Sequence, residues 1–142
     1  TLPEKKNKEP YYLMDMLQYS GLGDIIGQAV SSANLPIVVV AFVVAALVRI
    51  CVGSATVAMT MVAGIIAAMP EIAGLSPLYL ACTTAAVAGG ATVCSHFNDS
   101  GFWLVKSLVG MDEKTTLKTW TIMETLVGGT GFLVALIISF FA

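Results

Sequence analysis

The chain has 142 residues, of which 57% are hydrophobic and only 11% are charged, and its net charge is −2. This balance offers no basic surface and argues against a nucleic-acid partner. Four uncharged runs, at residues 25–48, 50–70, 72–98 and 125–142, each approach the roughly 20 apolar residues that a membrane-spanning helix needs. A water-soluble domain of this size has too little interior to bury them. The sequence therefore predicts an all-α integral membrane protein, or a part of one.

The N-terminal segment differs in composition from the rest of the chain. Residues 1–16 begin with a polar stretch that contains Pro3 and Pro10, which is typical of a tail or a linker remnant. Residues 17–142 form the predicted membrane region. At its start, apolar residues between positions 22 and 30 share one helical face, which predicts an interfacial helix or the end of a missing transmembrane helix. The chain does not begin with methionine, and we expect it to be cut from a longer protein.

The first long apolar segment is interrupted near its middle. Residues 35–52 contain Arg49, the small polar run 53–56 follows, and apolar residues resume from 57 to 69. Two full spans or one re-entrant helical hairpin both fit this pattern. The second arm, residues 55–69, would be about 22 Å long, which is short for a hydrocarbon core of about 30 Å. Its tip also carries no charged loop residue, so we expect the hairpin.

The next segment predicts a discontinuous helix. Residues 72–94 are apolar and end in alanines and glycines that allow helices to approach closely. Polarity then rises over residues 95–101, and apolar sequence returns at 102–109. A half-helix, an unwound polar stretch and a second half-helix mark the binding sites of many transporters. An ordinary water-exposed turn is the alternative. After a short charged loop, residues 116–142 predict a terminal transmembrane helix.

Residues 95–101 form the strongest candidate site. Asp99 and His96 are ionisable at membrane depth, where an uncompensated charge is costly; Asp99 is a candidate proton acceptor or cation ligand. Because histidine side chains can both donate and accept a proton, His96 is a candidate proton relay. Ser95, Asn98 and Ser100 can hydrogen-bond a hydroxylated substrate, and the following helix N-terminus favours an anion.

The predicted hairpin tip supplies a second candidate site. Ser54 and Thr56 offer hydroxyl groups to a carboxylate, although this run also fits a small-residue packing site. Arg49 is suited to pair with a substrate carboxylate, to pair with another acid, or to extend to a membrane interface. Glu124 in the last span is either a buried functional carboxylate or a residue near the interface.

Enzymatic chemistry finds little support in the sequence. His96 is the single histidine, and no nucleophile–base pair or metal-ligand spacing accompanies it. We therefore expect no metal, no cofactor and no enzyme activity. The three cysteines lie in apolar runs and predict packing residues rather than a disulfide framework.

Several of these runs resemble the gluconate permease family, whose members are gluconate:proton symporters. The resemblance covers about residues 17–142, and the run from His96 to Trp103 is its most specific part. The matching runs are Ser20-Gly21-Leu22-Gly23-Asp24, Arg49-Ile50 with Gly53-Ser54-Ala55-Thr56-Val57-Ala58, Ser95-His96-Phe97-Asn98-Asp99-Ser100-Gly101-Phe102-Trp103-Leu104-Val105-Lys106, and Thr119-Trp120-Thr121-Ile122-Met123-Glu124-Thr125-Leu126.

The resemblance implies a multi-pass transporter of the bacterial inner membrane that couples uptake of a sugar acid to protons and is a homodimer at full length. It also implies two inverted repeats, each with a re-entrant hairpin and a broken helix, and this chain would be the C-terminal part that carries the second. Substrate binding would then involve Ser54, Thr56, Ser95, His96, Asn98 and Ser100, with Asp99 or His96 as the coupling group and Arg49 and Glu124 as accessories. D-serine and other hydroxy acids stay open as substrates. A truncated, non-transporting protein or a helical partner-binding module is the alternative.

Overall fold

The computed structural model describes Tyr19, Gln28 and residues 35–142. The predicted tail over residues 1–16 and the face predicted between residues 22 and 30 fall outside the described segments. Residues 35–142 form helices without any strand, which confirms the all-α prediction. The elements are α1 (Ile37–Val52), α2 (Ala55–Ala67), a 3₁₀ helix (Pro70–Gly74), α3 (Pro77–Thr92), α4 (Ser100–Val109) and α5 (Glu113–Ser139).

A two-residue break separates α1 from α2. Gly53 ends α1 in the left-handed conformation, with φ 75°, which glycine adopts without the steric cost other residues bear. Ser54 then caps α2, because its Oγ accepts a hydrogen bond from the N–H of Val57. The first half of α1 and the second half of α2 share one hydrophobic cluster, so α2 runs back alongside α1; the cluster includes Val38, Ala41, Ala45, Val62 and Ile66.

Helix α3 lies between α1 and α5 and approaches both closely through adjacent glycines. A Cβ atom on Gly89 would lie 2.7 Å from the carbonyl oxygen of Gly128 in α5. A Cβ atom on Gly90 would lie 2.8 Å from the Cβ of Ala45 in α1. Backbones approach this closely only where side chains are absent or very small, as the small residues of this segment predicted.

Helix α5 packs on α3 through one of its three glycines. Gly128 contacts α3, but Cβ atoms added to Gly129 or Gly131 would meet no other atom of the described chain within 4 Å. Successive helical positions point about 100° apart, so the α3 contact covers only one side of α5.

The predicted break in this helical segment is present, but its limits differ from the prediction. Helix α3 ends at Thr92 and α4 begins at Ser100, so the unwound stretch is residues 93–99. Ser100 and Gly101, expected in the unwound part, belong to the first turn of α4. Asp99 makes the difference, because its carboxylate accepts a hydrogen bond from the N–H of Gly101 at 2.9 Å and starts the helix there.

Helix α5 is the one helix among the described residues that is long and apolar enough to cross a membrane. It has 27 residues, and only 11% of its most apolar stretch is buried within the chain. Its first turn follows Asp112, whose carboxylate accepts a hydrogen bond from the N–H of Thr115. Hydrogen bonds from Thr115 lower the pKa of Asp112. The predicted terminal span is thus a helix of spanning length, whereas the uncharged runs within residues 35–109 form shorter helices.

Candidate functional site where two helix breaks meet

The break between α1 and α2 lies against the break between α3 and α4. The side-chain amide of Asn98 donates a hydrogen bond to the backbone oxygen of Ile50 at 2.7 Å, at the end of α1. A Cβ atom on Gly53 would lie 2.7 Å from both the backbone carbon and the Cγ of Asn98. Two segments separated by more than forty residues therefore meet backbone to backbone, and the orphan carbonyls of α1 gain a donor.

A buried ion pair joins the same two segments. The Nη2 of Arg49 lies 2.5 Å from the Oδ2 of Asp99, and their side chains are only 4% and 11% exposed. Asp99 Oδ2 also accepts a hydrogen bond from the hydroxyl of Ser95, and Oδ1 accepts the N–H of Gly101. The Asp99 carboxylate is thus the common acceptor for a guanidinium, a hydroxyl and a helix N-terminus, all of which favour its charged form.

Two donors of Arg49 remain unsatisfied. Its Nε and Nη1 atoms are buried and have no hydrogen-bond partner among the described residues. A buried donor without a partner is costly, and most native buried donors are paired. Nε and Nη1 donate from opposite sides of the planar guanidinium, so they do not hold one carboxylate as a fork, but each is suited to donate to an oxygen of an anionic group.

Helix α5 completes the network around Ser95. The indole Nε1 of Trp120 donates to the Ser95 Oγ at 2.9 Å, and the hydroxyl of Thr121 donates to the Ser95 backbone oxygen. One turn further, the Thr125 hydroxyl accepts the N–H of Cys94 at 3.1 Å. Each contact satisfies a polar group of the unwound stretch, which hydrocarbon could not do.

Sequence reasoning missed the part that α5 plays in this site. The sequence assigned no role in this site to Trp120, Thr121 or Thr125. A signal was present, since residues 121, 124, 125 and 128 follow helical spacing and place polar or small side chains on one face of an apolar helix. The same region contains a π-helical turn, Leu117–Thr121, a feature that is frequent at functional sites.

Glu124 lies on this face of α5 between Thr121 and Thr125. It is half-buried and interacts electrostatically with both Arg49 and Asp99. Within the described residues, its side chain makes no hydrogen bond or ion pair. The carboxylate therefore belongs to the same electrostatic site as the buried pair without being bound to it.

The remaining predicted residues lie around this centre with different degrees of contact. His96 is half-buried, and its Nδ1 accepts the N–H of Asn98 at 3.4 Å. Ser54 adjoins Gly53, and its Oγ acts as the cap acceptor of α2. Thr56 and Ser100 are exposed in the first turns of α2 and α4, and across residues 35–142 no hydrogen bond links their side chains to the others.

The donor set does not resemble a metal centre. In the part of the chain that the structure describes, no three side chains of histidine, cysteine, aspartate or glutamate converge. All three cysteines are unpaired, and Cys82 lies in the hydrophobic cluster. The arrangement instead combines a guanidinium, amide and hydroxyl groups and a neighbouring carboxylate, which can bind an anion and exchange a proton.

Comparison with known proteins identifies the group to which this chain is related. The model of the GntP family permeases matches residues 12–141. The chain belongs to the GntP permease family. Relatives include the low-affinity gluconate transporter of Escherichia coli K12, 44% identical over 118 residues, which are 83% of this chain and 26% of that protein. The gluconate permease of Pseudomonas aeruginosa is 42% identical over 125 residues, 87% of this chain and 27% of that protein.

A third GntP relative is named for another sugar acid. The Gnt-II system L-idonate transporter of Escherichia coli K12 is 38% identical over 120 residues, covering 84% of this chain and 27% of that protein. The chain thus spans about a quarter of the length of these curated relatives. No solved structure matches. Membership of the family makes this a membrane protein, and the relatives are named transporters or permeases.

Proposed function

We propose that the chain is part of a proton symporter that takes up gluconate or a related sugar acid across the bacterial inner membrane. Family membership and the gluconate and idonate transporters among the relatives support the substrate class. The observation that carries the proposal is the buried guanidinium of Arg49, which holds Asp99 and keeps two further donors unpaired where two helix breaks meet.

In this proposal, α1 and α2 form a re-entrant hairpin. Their 16 and 13 residues correspond to lengths of about 24 and about 20 Å at 1.5 Å per residue. Both are shorter than a hydrocarbon core of about 30 Å. The break at Gly53 and Ser54 would then lie inside the membrane, opposite the broken helix formed by α3 and α4. An inverted repeat elsewhere in the full-length, multi-pass protein would supply the other half of the site, and two copies would form a homodimer.

Sugar acids combine one carboxylate with several hydroxyl groups. The unpaired Nε and Nη1 of Arg49 point in different directions, and either of them can donate to a carboxylate oxygen of the substrate. Ser54 retains its hydroxyl hydrogen for donation because only its oxygen serves as the cap of α2. Asn98, His96, Ser95, Thr56 and Ser100 are the other candidates for contacts with the hydroxyl groups. The coupled proton, which makes uptake symport, would be carried by an ionisable group of this site, for which the sequence offers Asp99 and His96.

Uptake of labelled gluconate tests the proposal. The full-length transporter that contains this chain would be reconstituted in proteoliposomes with an inside-alkaline pH gradient, with L-idonate and D-serine as competitors. We expect accumulation that collapses with the gradient and that L-idonate inhibits. Arg49→Gln should weaken gluconate binding by about 10–150-fold, since a hydrogen bond to a charged group contributes about 1.5–3 kcal/mol.

Two further variants make the result specific. Arg49→Lys keeps the charge but lacks the separate Nε and Nη1 donors. It should therefore recover only part of the gluconate affinity that Arg49→Gln loses. Lys106→Gln removes a cation that pairs with Glu113 away from this site and should leave uptake unchanged. A folded Arg49→Gln protein that binds gluconate as tightly as wild type would contradict the proposed site. Failure of the wild-type protein to take up any sugar acid would contradict the function itself.

A further inference from the structure

We infer that Glu124, rather than Asp99, carries the coupled proton, and that binding of the substrate anion at Arg49 drives its protonation. This inference rests on the proposed symport function and specifies where its proton binds. It begins from the unequal surroundings of two carboxylates, the buried one of Asp99 and the half-buried one of Glu124.

Asp99 is fully engaged in holding the site together. Its Oδ2 accepts hydrogen bonds from Arg49 and Ser95, and its Oδ1 accepts the N–H of Gly101. A proton can bind the remaining lone pair of Oδ1, but it would remove the charge that balances Arg49. Asp99 is therefore a structural anion, because protonation in every transport cycle would weaken the ion pair that joins the two breaks.

Glu124 has the opposite surroundings. The residues before and after it on the same face of α5, Thr121 and Thr125, hydrogen-bond the unwound stretch, and Gly128 packs on α3. Helical spacing therefore keeps Glu124 directed toward the site. Its carboxyl group has no hydrogen-bond or ion-pair partner in the described chain. A proton can bind and leave such a group without breaking any contact, as a carrier requires.

The charges around Glu124 couple its protonation to anion binding. Arg49 and Asp99 face it from α1 and from the unwound stretch, and their charges cancel. Helix α3 contributes no charged residue, while His96 and the thiol of Cys94 are the other titratable groups of the unwound stretch. The net charge of Arg49, Asp99 and Glu124 together is zero when Glu124 is protonated and −1 when Glu124 is ionised.

If Glu124 stayed ionised, a substrate carboxylate bound at Arg49 would bring the net charge of the site to −2. Like charges at short range in a poorly solvated site repel strongly, so the anion binds best when Glu124 is protonated. The coupling is reciprocal, because a ligand that favours protonation is itself bound more tightly by the protonated protein. Anion and proton therefore enter together and leave together, which is symport.

The test separates substrate movement from proton movement in the full-length transporter in proteoliposomes. Counterflow exchanges labelled for unlabelled gluconate without a gradient, and pyranine inside the vesicles reports proton entry. We expect Glu124→Gln, which imitates the protonated carboxyl group, to keep counterflow within about threefold of wild type while gradient-driven accumulation falls by about tenfold or more. Gluconate should evoke no proton entry in this variant, and its affinity for gluconate should no longer depend on pH.

Matched variants complete the experiment. Glu113→Gln removes a carboxylate at the exposed start of the same helix and should behave as wild type. Glu124→Asp retains a carboxyl group and should retain coupling. Asp99→Asn should lose gluconate binding together with accumulation. The inference is overturned if folded Glu124→Gln still accumulates gluconate with proton entry, or if it loses counterflow as well. Absence of sugar-acid uptake by the wild-type protein would overturn this inference together with the proposed function.

Discussion

Removing the charge of Arg49 should destabilise the protein far more than removing both members of its ion pair. Arg49→Met leaves the carboxylate of Asp99 buried without a cation. Two unit charges about 4 Å apart in an effective dielectric of about 20 attract each other by about 4 kcal/mol. Removing one partner of a buried pair costs about 3–5 kcal/mol, so we expect a loss in this range in the free energy of unfolding.

The double variant gives the decisive comparison. Asp99→Asn keeps an oxygen that can cap α4, so it isolates the effect of charge. Arg49→Met with Asp99→Asn removes both charges, and we expect the pair to recover most of the loss, with a coupling energy of about 2–4 kcal/mol. Unfolding of the purified protein would be followed by circular dichroism in mixed micelles as the fraction of denaturing detergent rises. Additive losses in the double variant, or a loss below about 1 kcal/mol in Arg49→Met, would refute the buried pair.

Three further predictions concern backbone contacts and surface charge, each measured in the same unfolding assay. Gly53→Ala should lower the free energy of unfolding by more than the 1–2 kcal/mol or so expected for an alanine in the left-handed conformation, because its Cβ would also overlap Asn98 in the opposite break. Gly110 has a similar φ of 73°, but a Cβ there meets open space, so Gly110→Ala should show the conformational cost alone. Gly128→Ala should separate α3 from α5 and destabilise the protein, whereas Gly129→Ala should be neutral or slightly stabilising; equal effects would contradict the described packing. Lys106→Met removes a surface ion pair and should change the free energy of unfolding by less than about 1 kcal/mol, and this change should shrink as the salt concentration rises.

The local pattern of the sequence was sufficient to place the helix breaks. Pro70, the small polar run after Val52 and the polar run after Cys94 interrupt apolar segments, and the structure begins and ends its helices within a few residues of these points. These features act through neighbouring residues, since left-handed backbone, helix caps and loss of apolar periodicity are local effects. The family resemblance rests on the same runs of residues, and the family match confirms it.

Pairing within the site could not be read from local pattern. The sequence left three roles open for Arg49, and only the approach of the two breaks pairs it with Asp99, fifty residues away. From the sequence alone, Asp99 was a candidate for proton transfer. The same approach makes it an anion that accepts three hydrogen bonds. It also leaves Glu124 beside the ion pair without a partner of its own. The sequence alone allowed Glu124 to be either a buried functional carboxylate or a residue near the interface.

The sequence by itself therefore determined that this protein is an α-helical membrane protein of the GntP family with two interrupted helical segments, because hydrophobicity, helix length and chain breaks depend on adjacent residues. Only the tertiary structure decided which charges meet and which donors remain unpaired. Those outcomes depend on Gly53, Gly89, Gly90 and Gly128, whose missing side chains let distant backbones come into contact. Because charge interactions change steeply with distance and burial, the chemistry of the site depends on these tertiary contacts.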